Sequence, residues 1–90
     1  MDIIAVNGKN YFVVKLLSKG TSGYSYLVIR DNKKYVLKQI HHELYGYYKS
    51  GNKIELEIEA YNKLSDLGII MPKMLEVDYE NKRILKEYID

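Results

Sequence analysis

The distribution of apolar residues along the chain predicts β-strands in its first half. Residues 11–17, 24–30 and 35–40 are rich in Val, Ile, Leu and Tyr. The segments between them, residues 18–23 and 31–33, consist of turn-forming residues. This pattern predicts a three-stranded antiparallel meander.

Shorter apolar segments lie at both ends of the chain. Residues 3–6 have the pattern of a short strand and end at the hairpin-type pair Asn7-Gly8. Residues 74–79 and 83–89 flank the turn-forming Glu80-Asn81-Lys82 and predict a second hairpin. Counting the longer segments, we predict an α+β fold with a five-stranded antiparallel sheet and one helix, in the order β-β-β-α-β-β.

Residues 54–67 predict the helix. Asn52 is a suitable N-cap with Glu55 as its capping-box partner, while Gly68 and Pro72 end the helix. At about 100° per residue, the apolar side chains are predicted to share one broad arc. These side chains are Ile54, Leu56, Ile58, Ala60, Tyr61, Leu64 and Leu67.

Glu57 places a charge within this apolar arc. A carboxylate on a buried face is costly unless a cation meets it. The candidate cation is Lys38, because strand alternation places it on the same side as Val36 and Ile40. The alternative is that this face of the sheet is open to solvent and Lys38 points into water. We expect the two charges to face each other across the interior.

Composition and charge narrow the class of protein. Ninety residues, 47% apolar and 29% charged, are typical of one small folded domain with a thin stability margin. A net charge of +2 is too small for the surface of a dedicated nucleic-acid binder, and without cysteine neither disulfides nor thiolate metal sites can form. The chain starts without a secretory-signal pattern, and its apolar runs are far shorter than the ~20 residues that cross a bilayer. We therefore expect a cytoplasmic protein that does not bind membranes or nucleic acid.

Gly20 and Gly23 lie between two predicted strands, which excludes the Rossmann and Walker arrangements, where the glycine-rich turn leads into a helix. Together with Lys38 and Glu57, this order resembles the N-terminal lobe of the protein kinase-like superfamily. Residues 17–28 are similar to that family's glycine-rich loop and its flanks, and Tyr35-Val36-Leu37-Lys38 is similar to its V-A-I-K strand. The 19-residue separation of Lys38 and Glu57 is typical of the family. The helix exit is similar to that of bacterial and archaeal members, including the aminoglycoside phosphotransferase-like branch.

The resemblance implies ATP, with Mg²⁺, as the ligand and phosphoryl transfer of the Ser/Thr protein kinase type as the parent activity. It implies that Lys38 contacts the α and β phosphates and that Glu57 holds Lys38, which makes them the catalytic residues. Lys86 takes the gatekeeper position, and backbone groups at Glu87 and Ile89 bond the adenine edge. The implied nucleotide-binding residues are Leu17, Ser18, Gly20, Thr21, Ser22, Gly23, Ser25, Val36, Lys38, Lys86, Glu87 and Ile89.

Three serines depart from the family pattern. Ser18 replaces the first glycine, Ser22 the aromatic residue of the loop, and Ser25 the valine over adenine. They favour an alternative function, a non-catalytic protein-interaction module with a degenerate lobe fold.

The motifs of the second lobe, which supply the catalytic base and the metal ligands, have no counterpart in the sequence. We therefore expect a truncated lobe that is inactive alone and has no metal site of its own. An open apolar surface under the sheet and beside the helix predicts a homodimer or higher oligomer, with exchange of a terminal strand as one route.

Two further patterns suggest ligands less strongly. His41-His42-Glu43 has metal-ligating side chains, but adjacent strand residues point in opposite directions and a third ligand is missing, which favours a solvated loop. Three tyrosines and a lysine within residues 45–49 are suited to base stacking, but the sequence has no RNP-like motif. Asp66-Leu67-Gly68 matches D-F-G in letters only, because it lies at the predicted helix end.

Overall fold

The computed structural model describes residues 2–20, 23–41 and 52–89. These residues form six strands and one helix: β1 (Ile3–Val6), β2 (Lys9–Lys19), β3 (Gly23–Arg30), β4 (Lys33–Ile40), α1 (Asn52–Asp66), β5 (Met74–Asp78) and β6 (Arg83–Glu87). The predicted α+β class is confirmed. The predicted count of five strands is wrong, because β1 pairs along its whole length with residues 9–12 of β2.

The strands form a single antiparallel sheet in the order β1-β2-β3-β4-β6-β5. The predicted meander and C-terminal hairpin are both present. The two tightest hairpins turn on Asn7-Gly8 and Asp31-Asn32, and all four residues have positive φ, between 49° and 83°. Two consecutive residues with positive φ match the right-handed twist of paired strands, and Gly, Asn and Asp adopt this conformation most readily.

α1 packs on one face of the sheet. Ile54 is buried there with Ile40 and Ile84, and Ile58 packs at the edge of this cluster. The Tyr61 hydroxyl accepts a hydrogen bond of 3.1 Å from the Met74 amide and so holds the helix against β5. The face beneath α1 is therefore a small apolar core.

The other face of the sheet has a second apolar core, and the sheet curls around it. Its buried members are Val6, Tyr11, Val28, Leu37 and Leu85. The curl brings β1 close to β5 and β6, and two hydrogen bonds join them there. The Asn7 amide donates to Asp78 Oδ2 at 2.9 Å, and Arg83 Nη1 donates to the Ala5 carbonyl at 2.7 Å. We call this junction between the first and last hairpins the seam.

Asp78 is the buried charge of the seam. Its carboxylate accepts hydrogen bonds from the Asn7 amide and from the backbone and side-chain amides of Asn81. These bonds, first that from Asn7, hold the pKa of Asp78 below its usual range, and the nearby Arg83 charge acts in the same direction. Arg83 also donates to the Gln39 side chain at 2.6 Å, so the seam connects β1, β4, β5 and β6.

The C-terminal end of α1 has the predicted stop. Gly68 lies at φ 80°, its amide donates to the Ser65 carbonyl at 3.0 Å, and the Ile69 amide donates to the Leu64 carbonyl at 3.1 Å. This pair of bonds is a Schellman motif. At the other end, Asn52 begins the helix, and the predicted capping box lies outside the described side chains.

The prediction of one apolar arc on α1 is wrong. Leu56, Leu64 and Leu67 are 61%, 40% and 75% exposed, and Ala60 is exposed too. Steps of 100° spread the predicted set over about 200° of the helix, more than one flat sheet can cover. Within the described residues, no helix combines the length and apolar character needed to cross a bilayer.

Candidate functional site

Lys38 and Glu57 form an ion pair between the sheet and the helix. Lys38 Nζ lies 2.5 Å from Glu57 Oε1, and the two side chains are 19% and 24% exposed. Strand alternation turns Lys38 toward α1, and the helical step places Glu57 within one turn of Ile54 and Ile58. The expected contact between these residues is therefore present.

The Lys38–Glu57 pair is partly buried and partly accessible to water. Each charge is the compensating partner of the other, so neither is left unpaired beside the apolar core under α1. Each side chain also keeps contact with solvent, so an anion arriving from outside can reach the ammonium group. A partly buried, positioned cation of this kind is suited to holding a phosphate or another anion.

The neighbouring strands add two rows of side chains to the same face. In the first row, Ser18 is paired with Ser25, and Ser25 with Lys38. In the second row, Leu27 is paired with Val36, and Val36 with Lys86. Directly opposed residues in an antiparallel sheet point to the same side. The structure therefore brings Ser18, Ser25, Val36, Lys38 and Lys86 together on the helix side, as one polar and one largely apolar row.

Gly20 and Gly23, at the connection from β2 to β3, shape the end of this face. The Gly20 amide donates to the Gly23 carbonyl at 2.9 Å, which closes the connection between β2 and β3. A Cβ atom on Gly23 would lie 2.0 Å from the Gln39 carbonyl oxygen, so only glycine fits. The remaining two predicted residues of the loop, Thr21 and Ser22, lie outside the described residues.

The other predicted nucleotide contacts lie at the margins of the face. Leu17 is 40% exposed and lies at a bulge of β2, between Leu16 and Ser18. Glu87 ends β6, where its amide donates to the Lys73 carbonyl and its Oε1 accepts from the Lys73 amide, both at 2.9 Å. Ile89 follows the strand and is exposed.

Two other predicted features fall mainly in residues 42–51, outside the described part of the chain. These are His42 and Glu43, which were considered as metal ligands, and the tyrosines considered for base stacking. His41 is described, and its ring lies 3.3 Å from the Gly20 carbonyl oxygen and edge-on to Tyr24. Among the described residues, no group of three or more His, Cys, Asp or Glu side chains is arranged to hold a metal ion.

Sequence reasoning missed a pocket at the rim of the curled sheet. The pocket has a volume of about 440 Å³ and lies between Tyr11, Tyr35, Arg30 and the ion pair of Lys9 with Glu76. Burial raises the pKa of the Tyr11 hydroxyl, and the nearby Glu76 carboxylate raises it further. The walls come from strands far apart in the sequence, so only the register of the folded sheet brings them together.

Comparison with known proteins adds no family to this picture. No model of a known protein family matches the chain, and no curated protein sequence matches it. The inference of function therefore rests on the geometry of the site and on the motifs of the sequence.

Proposed function

We propose that the chain binds ATP as the nucleotide-binding lobe of a protein kinase-like phosphotransferase. The observation that carries the proposal is the Lys38–Glu57 ion pair, 2.5 Å long and partly buried between strand and helix. A surface lysine without a partner samples many rotamers, whereas Glu57 holds the Lys38 ammonium in one place. The proposed role of Lys38 is to hold the α and β phosphates.

The phosphate end of the nucleotide would lie along the polar row. Ser25 is the register neighbour of Lys38, Ser18 is the register neighbour of Ser25, and hydroxyl groups can donate to phosphate oxygens. The connection from Gly20 to Gly23 carries no side chain at either end, so an anion can approach its backbone closely. In this proposal the Lys38 ammonium and the serine hydroxyls contact the phosphates beside this connection.

The adenine end would lie along the apolar row. Val36 is half-buried beside Leu27, and Leu17 lies at the adjoining bulge. At the end of β6, the Glu87 amide already donates to the Lys73 carbonyl. The proposed adenine contact at Glu87 therefore falls to its carbonyl oxygen, and Ile89 supplies the second backbone contact.

We propose nucleotide binding without phosphoryl transfer for these ninety residues. Phosphoryl transfer requires a base that orients the acceptor hydroxyl and carboxylates that hold Mg²⁺. The sequence has no match to the motifs that supply them. Lys38 and Glu57 would contribute positioned charge to a reaction that needs further residues.

The test is calorimetric titration of the chain with Mg²⁺ and ATP. We expect saturable binding, weakened about 10- to 100-fold by Lys38→Met, since a charged hydrogen bond to phosphate contributes about 1.5–3 kcal/mol. Lys33→Met is the matched control, because Lys33 is on the same strand, exposed, and distant in register from Ser25. Circular dichroism on each variant checks that the fold is retained.

A flat titration up to about 5 mM ATP would contradict the proposal, because that concentration exceeds the dissociation constants of most nucleotide sites. It would instead favour the second candidate, a non-catalytic interaction module. The observation behind this candidate is that Ser25, beside Lys38, and Ser18, beside Ser25, place hydroxyl groups where the family has valine and glycine. Equal loss of binding in Lys38→Met and Lys33→Met would also count against a specific phosphate contact.

A further inference from the structure

α1 has a second apolar face that the sheet does not cover. Leu56, Ala60, Lys63 and Leu67 follow one another at spacings of four, three and four residues, and all are exposed. This is the spacing of the a and d positions that form the seam of a coiled coil. In projection the four residues lie on the side of the helix opposite Ile54. We call them the far face of α1.

A shallow groove marks the centre of the far face. It has a volume of about 200 Å³ and is lined by Leu56, Glu59, Ala60 and Lys63. The small side chain of Ala60 leaves the hollow between its larger neighbours. A groove over alanine allows a second helix to approach closely, so the shape suits a helix as the occupant.

When two far faces are placed together with their helices antiparallel, the residues of one face complement those of the other. We propose that the far face binds the far face of a second copy of this chain, as an antiparallel helix pair with twofold symmetry. Leu56 of one copy then packs on Leu67 of the other, at both ends of the contact. The aliphatic stem of Lys63 lies over Ala60 of the second copy, which fills the groove.

The charges select the antiparallel direction. In that pairing the Lys63 ammonium of each copy reaches Glu59 of the other, and twofold symmetry makes the contact twice. A parallel pair in register would place Lys63 against Lys63. Among the described side chains, neither Glu59 nor Lys63 takes part in an ion pair within one copy, so both are available.

The interface differs from the one expected from the sequence, which lay under the sheet and beside the helix. One helix from each copy buries less than a standard protein interface, for which the lower end is about 1,200 Å². We therefore expect a dissociation constant in the micromolar to millimolar range. The association does not depend on nucleotide, so it can be present or absent whatever the outcome of the ATP titration.

Sedimentation equilibrium of the full chain between about 10 μM and 1 mM tests the proposal over the expected range of affinity. We expect the mean mass to rise from the monomer toward the dimer. Glu59→Lys and Lys63→Glu should each weaken association by about tenfold or more, because each places like charges across the interface. Mixing these two variants should restore association, because the mixed pair has opposite charges at both contacts.

Glu55→Lys is the control variant. It changes the net charge as Glu59→Lys does, on the same helix but about 100° or more from Leu56 and Ala60 in projection. Its association should equal that of the unmodified chain. A monomeric mass at about 1 mM, failure of the mixed variants to associate, or equal weakening by Glu55→Lys would each overturn the proposal.

Discussion

Gly23 lies where β3 passes close to the backbone of β4. The sequence predicted this glycine to be part of a loop. The structure shows a different reason why the position requires glycine. It is buried, and its Cα hydrogens face the Gln39 carbonyl where a side chain has no room. The sequence could not show this, because the contact depends on the register of Gly23 opposite Ile40.

Gly23→Ala should therefore destabilise the protein by about 3 kcal/mol or more, since the added methyl group meets backbone that cannot move aside cheaply. Urea unfolding followed by circular dichroism measures the loss. Gly20→Ala is the control, because a Cβ atom there meets its nearest neighbour at 3.8 Å, an ordinary contact distance. Equal losses in the two variants would contradict the close approach of β3 and β4.

The Lys38–Glu57 contact was the residue-scale feature that the sequence predicted best. A lysine in an apolar strand row and a glutamate in an apolar helix arc each need a partner of opposite charge. This need can be inferred without knowing the topology of the sheet. The contacts of Asp78 and Tyr11 had no such signal. Their partners lie on strands that only the curl of the sheet brings near.

At the scale of elements, sequence patterns predicted the helix, the meander and the second hairpin. The error in strand number came from β1, which has only four residues and gains its place from pairing with the long strand β2. The error about the apolar arc came from assigning every apolar residue of α1 to one partner. The helix has two apolar faces, of which the sheet covers one.

The end of α1 depends on Gly68. Its φ of 80° is accessible to glycine at little cost, but a Cβ atom strains it. Gly68→Ala should lower the free energy of unfolding by about 1 kcal/mol, and Gly68→Asn by less, because Asn tolerates this conformation better. Thermal unfolding of the two variants measures the difference, and a more stable Gly68→Ala would contradict the Schellman stop.

At the scale of the whole molecule, the hydrogen bonds of the seam hold the sheet in its curled form. Asp78 is charged in the fold and accepts three hydrogen bonds there, so its pKa is lower folded than unfolded. Such a carboxylate stabilises the fold fully above its unfolded pKa of about 3.9. This stabilisation is lost as the pH falls from about 4 through the folded pKa, because only the unfolded state then gains a proton readily.

We expect the stability of the protein to fall as the pH drops below about 4, and to fall less in Asp78→Asn, which has no charge to lose. Urea unfolding at a series of pH values gives the two profiles. Asp2→Asn, a change to an exposed carboxylate near the N-terminus, should leave the profile as it is. Parallel profiles for the unmodified protein and Asp78→Asn would contradict the role of Asp78.

The seam also protects the border of the sheet. β1 and β5 are the outermost strands, and strands in that place offer backbone groups to which a foreign strand can add. The Asn7 side-chain amide donates to the Val77 carbonyl at 3.2 Å and so occupies one such acceptor on β5. The hairpin that begins the chain thus covers part of the free edge of β5, where a foreign strand could otherwise add.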